Sequence, residues 1–482
     1  MSKARDLANF GDDISDGVIS AERIPVTPSG THEFVASGAL DTGDLVVVNA
    51  DGTVSTVYPS TTLSGAVVPF NSGNVYYPVV VYHEAAQKIV IVYQDQTNSN
   101  RGTAVVGTIS GSSITFGTKT VFETGNTQLI GATYDKLNEK VVIAYRDDQN
   151  NYYGTAVVGT VSGTSISFGT PVVFQSSQTD YATPTYDENA QKVVIFYSDS
   201  VYGASRGIVG TVSGTSISFG SSYLFPSTVL GGSYGATYDK SAQRTVVAIQ
   251  YGSVGYAYVV EVSGTGLIFS QPQKFNSSTV QYVNAKYVDS IERVVITCRD
   301  GTFSGFGSAI LGNVISGSAM TFGEPVVFSD LAITNHSLSV NPSNGSIVVI
   351  SSGRVFSGIA ARDFIGFNTP ESGQGGTLMS AGYSALDDKF VFAYSSNNCV
   401  VLDYAASNLR TGNFVGFSKD TYSDGATATI QIAGSVTDTQ SGLSAGGKYF
   451  VKSNNTISQD ADLLAEVVAG TAISSTSLIV KG

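Results

Sequence analysis

The sequence predicts an all-β protein whose central part is a seven-bladed β-propeller. Two observations predict this fold: a repeat of about 52 residues, and a single copy of the last repeat strand placed ahead of the first full repeat. Regular repeats of this length, rich in short strands, are typical of propeller blades. The low charged fraction of 13% and the 53 glycines also favour β structure with many tight turns.

Two markers define the repeat. The first is a segment such as SGTSISFGTPVVF, and its copies end at Phe122, Phe174, Phe225, Phe275 and Phe328. The second is a hairpin such as TYDENAQKVVIFYSD, and its copies contain Tyr82, Tyr134, Tyr186, Tyr238, Tyr287, Asn341 and Tyr383. Together the two markers predict seven structural units.

Each unit is expected to hold four strands, which in the third unit fall at about 181–186, 192–198, 206–212 and 215–225. The second strand, KVVIFY, is apolar at every position, which predicts burial on both faces of its sheet. Such burial is expected when each sheet is stacked between two others. A two-sheet sandwich is the structural alternative, although it does not require such even spacing.

Residues 61–70 carry the evidence for ring closure. Phe70 precedes Phe122 by the repeat length, and the last hairpin, at 375–395, is followed by one further strand and no fourth. We therefore expect 61–70 to complete the blade that contains 375–404. This pairing would remove the open edges of an unclosed array.

The segments outside the repeats divide into three parts. Residues 1–30 form a polar, glycine-interrupted stretch that is predicted to be an extended N-terminal arm or adaptor. Residues 31–60 contain a hairpin with an Asp-Gly turn at 51–52. The repeats occupy 61–408, and 409–482 form another β-rich piece, which we expect to join the hairpin in one small domain with the propeller inserted between its halves.

Composition limits the possible functions. A net charge of −13 argues against a nucleic-acid partner. The three histidines and two cysteines are scattered, so no metal, cofactor or disulfide framework is expected. The start lacks the apolar core of a signal peptide, and no apolar run of about 18 residues predicts membrane insertion. The protein is therefore expected to be made in the cytoplasm and, if it acts outside a cell, to be carried there by a particle.

No catalytic motif is present, so the protein is not expected to be an enzyme. An acid follows the second strand in several units, as Asp95, Asp147, Asp199 and Asp300. The recurrence favours a turn-capping role, with ion or ligand binding and glycoside hydrolysis as alternatives. The acids that follow the hairpin tyrosines, Asp135, Asp187 and Asp239, are also interpreted as turn residues, and His83 replaces them in the first unit.

The loops between the second and third strands vary between units, whereas the other turns hardly change. Variation over a constant scaffold is typical of a binding face. These loops and the adjacent connections hold the tyrosine, asparagine and arginine side chains that a sugar or a protein epitope requires. The predicted ligand-binding residues are Arg101, Asn150, Asn151, Tyr152, Tyr153, Tyr181, Tyr202 and Arg206, with Asn98 and Asn100 nearby.

Both ends of the chain resemble bacteriophage proteins. The opening MSKARDLANFGDD with ISAERIP resembles the start of marine phage fibre and structural proteins. The segment from GFSKDTYSDGATATIQIAGSV to AGTAISSTSLIVKG is similar to a module that ends many phage tail-fibre-like proteins. The resemblance implies a virion component that contacts other virion proteins, and we expect that attachment to use residues 1–30 and the protein to be homo-oligomeric.

Three functions follow as hypotheses. The first is a tail-fibre or receptor-binding protein that recognises a host surface glycan or protein through the variable loops. The second is a structural capsid fibre or decoration protein without a ligand. The third is a glycan depolymerase.

Overall fold

The computed structural model describes residues 30–49, 51–57, 61–226, 231–315, 317–362, 364–367, 371–372, 379–405, 408–409, 413–452, 455–460 and 467–481. The chain divides into two compact units. The repeat domain comprises Thr62–Tyr404, and the flanking domain comprises residues up to Thr61 and from Ala405 onwards. The predicted arm, except for its last residue, lies outside the described residues. Within them, no helix is long and apolar enough to span a membrane.

The strands are numbered from the N-terminus. The first nineteen are β1 (Thr31–Val35), β2 (Leu45–Val48), β3 (Val54–Thr56), β4 (Thr61–Ser64), β5 (Val68–Pro69), β6 (Val75–His83), β7 (Lys88–Asp95), β8 (Arg101–Ser110), β9 (Ser113–Phe116), β10 (Thr120–Asp135), β11 (Lys140–Asp147), β12 (Tyr153–Ser162), β13 (Ser165–Phe168), β14 (Val172–Asp187), β15 (Lys192–Asp199), β16 (Ala204–Ser213), β17 (Ser216–Phe219), β18 (Tyr223–Leu224) and β19 (Gly231–Asp239).

The next seventeen complete the repeat domain. They are β20 (Arg244–Tyr251), β21 (Val254–Ser263), β22 (Gly266–Phe269), β23 (Gln273–Asn276), β24 (Val280–Val288), β25 (Arg293–Asp300), β26 (Phe306–Ile315), β27 (Ala319–Phe322), β28 (Val326–Ala332), β29 (His336–Val340), β30 (Ser346–Ser351), β31 (Arg354–Ala361), β32 (Phe364–Phe367), β33 (Glu371–Ser372), β34 (Met379–Ser384), β35 (Lys389–Tyr394) and β36 (Asn398–Ala405).

Seven strands follow in the flanking domain, and short 3-10 helices interrupt some loops of the repeats. The strands are β37 (Phe414–Ser418), β38 (Thr427–Gln431), β39 (Val436–Thr437), β40 (Lys448–Lys452), β41 (Thr456–Ser458), β42 (Val468–Ala472) and β43 (Leu478–Val480). Within the described ranges the 3-10 helices are Gln96–Asn98, Asp289–Ile291 and Gly301–Phe303.

The repeat domain is a series of antiparallel four-stranded units. Their strand orders are β6-β7-β8-β9, β10-β11-β12-β13, β14-β15-β16-β17, β19-β20-β21-β22, β24-β25-β26-β27, β29-β30-β31-β32 and β34-β35-β36-β4. The long strands β10 and β14 each serve two units, because their first halves pair with the third strand of the preceding unit. In the third unit the predicted fourth strand, 215–225, is divided into β17 and β18, which both pair with β16.

The second strand of each unit is buried as its continuous apolar sequence predicts. In β15 the five residues from Val193 to Tyr197 have no exposed surface. One set of their side chains packs toward the second unit and the alternate set toward the fourth, since neighbouring positions belong to different core clusters. Each unit is therefore stabilised mainly by apolar contacts with both neighbours along the series.

Residues 61–70 pair with the last unit. In this segment β5 is antiparallel to β36 with Val68 opposite Cys399, and the N–H of Gly65 donates to the carbonyl of Val401 at 2.8 Å. The first strands of the first and last units also meet, because the N–H of Val80 donates to Oγ of Ser380 at 3.0 Å.

The hairpin tyrosines join one unit to the next. The N–H of Ala85 donates to the hydroxyl of Tyr134, and the N–H of Leu137 donates to that of Tyr186, each at 3.2 Å. In the sixth unit the sequence alignment of Asn341 with these tyrosines is wrong by one residue. Val340 takes the tyrosine position, because Asn341 pairs with Ser346 at the hairpin end and its side chain caps the turn.

The flanking domain contains two five-stranded sheets, with strand orders β1-β38-β37-β2-β3 and β39-β43-β42-β40-β41. Residues from both ends of the chain thus share the first sheet, as in the pairing of β1 with β38. The two sheets also share an apolar core in which Phe417 and Leu45 lie with Val451 and Leu478. The Asp-Gly turn at 51–52 connects β2 and β3, with Gly52 at φ 82°.

Candidate ligand-binding face

The acids in the turns between first and second strands act as backbone caps. Carboxylate oxygens of Asp135, Asp187 and Asp239 accept the N–H groups of the residues three positions ahead, at 2.8 to 2.9 Å. In the first unit Nδ1 of His83 accepts the N–H of Ala86 at 3.1 Å. This shared geometry confirms the turn interpretation, including the replacement of aspartate by histidine.

The acids that follow the second strands also cap turns. Asp95 accepts from the N–H and the hydroxyl of Thr97, and Asp300 accepts from the N–H of Thr302. Asp147 accepts from the N–H groups of Gln149 and Asn150. Burial raises the pKa of Asp147, and the nearby Glu123 adds to this effect. These contacts confirm the capping role that the recurrence predicted.

The capped loops between second and third strands, and the connections that lead into the next first strand, lie at the same end of the units. We call this end the loop face. Here a shallow pocket of about 460 Å³ is lined by Asn151, Tyr152, Tyr153 and Tyr202, all of which the sequence predicted as ligand-binding residues. The connection between the second and third units completes the lining with Gln175, Ser176, Ser177 and Gln178, and Val201 lies beside Tyr202.

Arg206 lies beneath this pocket rather than in its lining. Its Nε donates to the buried carboxylate of Asp199 at 2.9 Å, and its guanidinium lies 5.6 Å from the centre of the Tyr202 ring. Gln175 donates to the same carboxylate at 3.0 Å. The role of Arg206 in this structure is thus to support the pocket, since its charge is neutralised by Asp199.

A second supporting network surrounds Arg146. The guanidinium bonds to Asp148 at 2.8 Å and to Asp180 at 2.6 Å, so it links the second unit to the third. It also lies 5.5 Å from the centre of the Tyr152 ring, a cation–π arrangement. The arginine thereby holds Tyr152 beside Asp180, which directly precedes the predicted site residue Tyr181.

Tyr181 shows how the first strands present aromatic side chains. It lies in a β-bulge with φ 54°, and the same bulge holds Tyr77, Leu129 and Tyr282 in the first, second and fifth units with φ 48°, 51° and 54°. A bulky residue with positive φ is strained, and such strain concentrates at functional sites. The Tyr181 side chain is 45% exposed. The sequence analysis missed Tyr77 and Tyr282, although their spacing from Tyr181 follows the repeat.

No protein-family model matches the sequence, and no curated protein matches it. The fold is similar to that of the Cps50 (Swd1) β-propeller domain of Myceliophteria thermophila, at 9% identity and a TM-score of 0.50 over 71% of this chain and 99% of that one. The Dos1 propeller aligns over 71% of this chain and 95% of its own, with 10% identity and a TM-score of 0.45. The repeat domain is a β-propeller.

The remaining predicted site residues occupy other places on the propeller. Asn150 holds the loop of the second unit, because its carbonyl accepts the N–H of Tyr153 at 3.0 Å. Arg101 begins β8 in the first unit and is paired through its backbone with Asp95 and Asn126. Neither lines the pocket, so the structure brings together only part of the predicted set.

Many polar side chains of the propeller loops are engaged in turns and in contacts with one another. The carboxylates that recur there are occupied by turn N–H groups, and no three histidine, cysteine or acidic side chains lie close enough to hold a metal ion. Both cysteines are buried, and burial raises the pKa of the Cys298 thiol to about 12. The loop face therefore presents exposed tyrosine rings, amide groups and arginines that are paired with carboxylates. Groups of these kinds form ligand-binding sites.

Proposed function

We propose that this protein is a non-enzymatic recognition protein on the surface of a bacteriophage particle, and that its loop face binds a host surface glycan or protein. The proposal includes a tail-fibre or receptor-binding position, contacts with other virion proteins and a homo-oligomeric state in the particle. It also includes a seven-bladed propeller that β4 and β5 close. The resemblance of both chain ends to phage fibre proteins supports the virion position.

Contacts between units support the closed ring. The hydrogen bond between Tyr82 and the turn of the last unit has the same form as those between consecutive units. The pairing of β5 with β36 supplies the outer strand that the last unit lacks in sequence. Seven four-stranded units joined in this way, including the last to the first, support the proposal of a closed ring of seven blades.

The observation that carries the recognition function is the set of exposed tyrosines on the loop face. Tyr152 and Tyr202 are 48% and 70% exposed at the pocket, and Tyr181 projects from a strained bulge nearby. Stability alone favours neither an exposed ring nor a positive φ at a bulky residue. Tyrosine surrounded by amides supplies a flat apolar face with directional hydrogen bonds, as sugar and protein ligands require.

The proposal is tested by variants of the pocket tyrosines, which should weaken adsorption of the particles to host cells without lowering the melting temperature of the protein. Particles that carry Tyr152→Ala together with Tyr202→Ala should adsorb to host cells at least about tenfold more weakly. The control is Tyr223→Ala, which removes an exposed tyrosine from the outer strand β18. Equal melting temperatures show that the fold is intact, and unchanged adsorption of the double variant would exclude this pocket as the receptor site.

The purified protein, its double variant and particles that lack the protein distinguish receptor binding from the two alternative functions. A glycan array with the purified protein should give binding that the double variant loses, and an assay for new reducing ends should stay at background. New reducing ends would indicate a depolymerase. Normal adsorption by particles that lack the protein altogether would indicate a structural component without a ligand.

Attachment to the particle is proposed to use residues 1–30. A deletion of 2–29 retains Gly30, whose carbonyl accepts the N–H of Ile432 at 3.0 Å next to the pairing of β1 with β38. The shortened protein should therefore keep its melting temperature and yet be missing from assembled virions. Normal incorporation would shift the attachment site to the flanking domain.

A further inference from the structure

The loop-face pocket has no charged side chain in its lining among the residues that the structure describes. The lining consists of three tyrosines, three amide side chains, two serines and one valine. The charged pair beneath it is neutral as a unit, because Nε of Arg206 bonds to the carboxylate of Asp199 at 2.9 Å. A ligand in this pocket therefore meets hydrogen-bonding groups and aromatic rings.

The charge beside the pocket is negative. The guanidinium of Arg146 lies 5.5 Å from the centre of the Tyr152 ring, and it bonds to two carboxylates, Asp148 at 2.8 Å and Asp180 at 2.6 Å. This cluster thus keeps one net negative charge, and the whole chain has a net charge of −13. An anionic ligand would be repelled by these carboxylates and would find no cation in the lining to pair with.

The polar groups of the lining divide into those that support the pocket and those that are unbound. Gln175 donates to Asp199 at 3.0 Å and thus belongs to the support. Within the described ranges no hydrogen bond is made by the side chains of three other lining residues, Asn151, Ser176 and Gln178. An amide side chain both donates and accepts, as a hydroxyl does. These side chains can therefore bond to ligand hydroxyls, which also donate and accept.

The backbone fixes the positions of these unbound groups. Asn151 and Tyr152 have φ values of 54° and 62° in a tight turn, whose closing hydrogen bond from the N–H of Tyr153 measures 3.0 Å. Glycine is the usual residue at the second of these turn positions, so a tyrosine there indicates a requirement for its ring. Gln178 pairs with Tyr153, and its carbonyl accepts the N–H of Ser200 at 3.0 Å. A site that is fixed before binding loses little conformational entropy when the ligand arrives.

Rigid aromatic rings beside unbound amides suit a sugar. The apolar C–H face of a sugar ring packs against a tyrosine ring, and its hydroxyl groups bond to amides. Tyr202 and Val201 are 70% and 66% exposed in the lining and supply apolar surface of this kind. The volume of about 460 Å³ lies within the range of roughly 300–1,000 Å³ that is typical of small-ligand sites.

We propose that the loop-face pocket binds an uncharged sugar unit of a host surface glycan and excludes sugars that carry a carboxylate or a phosphate. This inference rests on the proposed recognition function and names its ligand class. The sugar hydroxyls bond to the amides of Asn151 and Gln178 and to the hydroxyl of Ser176, while the ring packs against the exposed tyrosines. A sugar carboxylate would lose hydration without gaining a cation, which accounts for its exclusion.

The first experiment applies the purified full-length protein to an array that holds both neutral and acidic glycans. The bound glycans should be neutral at the unit that is recognised. In isothermal titration calorimetry, the methyl glycoside of that unit should bind at least about tenfold more tightly than the matching methyl uronide. Binding that requires a carboxylate, a sulfate or a phosphate, or binding of no glycan at all, would overturn the inference.

The deciding variant is Gln178→Leu, which removes an unbound amide and leaves the backbone pairing in place. It should weaken binding of the neutral glycan at least about tenfold, whereas Gln271→Leu, which replaces an exposed glutamine of the fourth unit, should not change it. If Gln178→Leu melts at a lower temperature than the parent, Asn151→Gly serves instead, because glycine suits the positive φ at that turn. Unchanged affinity in these variants would refute the assignment.

A variant with an added charge tests why acidic glycans are excluded. Ser176→Lys places a cation in the lining and should add acidic glycans to the bound set. Continued exclusion of acidic glycans by this variant would contradict the role assigned to charge.

Adsorption of particles to host cells tests the proposed function separately from the ligand class. If Tyr152→Ala with Tyr202→Ala weakens adsorption although no glycan binds, the receptor role stands, the receptor is a protein and the sugar inference fails. If Gln178→Leu loses the neutral glycan while the double tyrosine variant adsorbs normally, the sugar site stands and the receptor role fails.

Discussion

The hydroxyl of Tyr82 accepts a hydrogen bond from the backbone N–H of Leu386 at 3.3 Å, across 304 residues of sequence. The same contact joins Tyr186 to Leu137 at 3.2 Å between two units that are consecutive in the chain. The first and last units are joined by residues 70–74, which run from β5 to β6, and they share no continuous strand as the second and third units share β14. The hydroxyl of Tyr82 therefore acts at the junction between the first and last units.

Removal of this hydroxyl should weaken the junction. Tyr82→Phe should lower the free energy of unfolding by about 1 kcal/mol, because the Leu386 N–H loses its acceptor. Tyr186→Phe, as the control, should cost a similar amount at equilibrium. Limited proteolysis should separate the two, with faster cleavage in the first or last unit of Tyr82→Phe alone, since no continuous strand crosses that junction. Equal cleavage rates would contradict this role.

Four of the five repeated phenylalanines, Phe122, Phe174, Phe275 and Phe328, pack over a glycine, and the pair Gly154 and Phe174 tests this arrangement. A Cβ added at Gly154 would lie 2.5 Å from the Phe174 ring, which also contacts Tyr197 at 5.2 Å between ring centres. We expect Phe174→Ala to cost about 3–5 kcal/mol and Gly154→Ala about 1–3 kcal/mol. The double variant Gly154→Ala with Phe174→Leu should be more stable in urea denaturation than the sum of its single variants. Strict additivity would mean that the two positions do not share this space.

Tyr181 provides a test of strain retained for function. Tyr181→Gly places a residue without a Cβ at φ 54°, so it should keep or slightly raise the melting temperature while it weakens adsorption. Tyr181→Ala should weaken adsorption equally but keep the backbone strain, and so it should be less stable than the glycine variant by about 1 kcal/mol. If the ring itself stabilises the fold, both variants would instead melt at a lower temperature than the parent.

His336 should make the protein sensitive to mild acid. Its ring is fully enclosed with Nε2 2.9 Å from the Thr297 hydroxyl, and burial lowers its pKa to about 4. The unfolded chain, with an ordinary pKa near 6.5, binds this proton first, so stability is full above about pH 6.5 and falls toward pH 4. The loss should reach roughly 3 kcal/mol. Urea denaturation of His336→Gln should show a shallower decline over this range than the parent, and identical slopes would contradict the assignment.

The propeller fold was predictable from sequence because it depends on local, repeated features. The apolar second strands, the phenylalanine spacing and the capped turns recur at about 52 residues, and each acts on its own neighbourhood. The acid caps could be predicted for the same reason, since Asp135 bonds to a backbone group only three residues away. The replacement of aspartate by His83 was also understandable as a change within one turn.

Tertiary structure decided which side chains share a site. Asn151, Tyr152 and Tyr202 come from two units and meet only because the units stack, whereas Arg206 is diverted to Asp199. Tyr77, Tyr181 and Tyr282 adopt positive φ where the chain enters a new unit, and the spacing of these residues in the sequence does not reveal that backbone conformation. Lys286 gives the clearest case. In sequence it is one lysine in a strand, and only the packing of first strands far apart in the chain places it in one cavity with Glu84, Glu188 and Asp289.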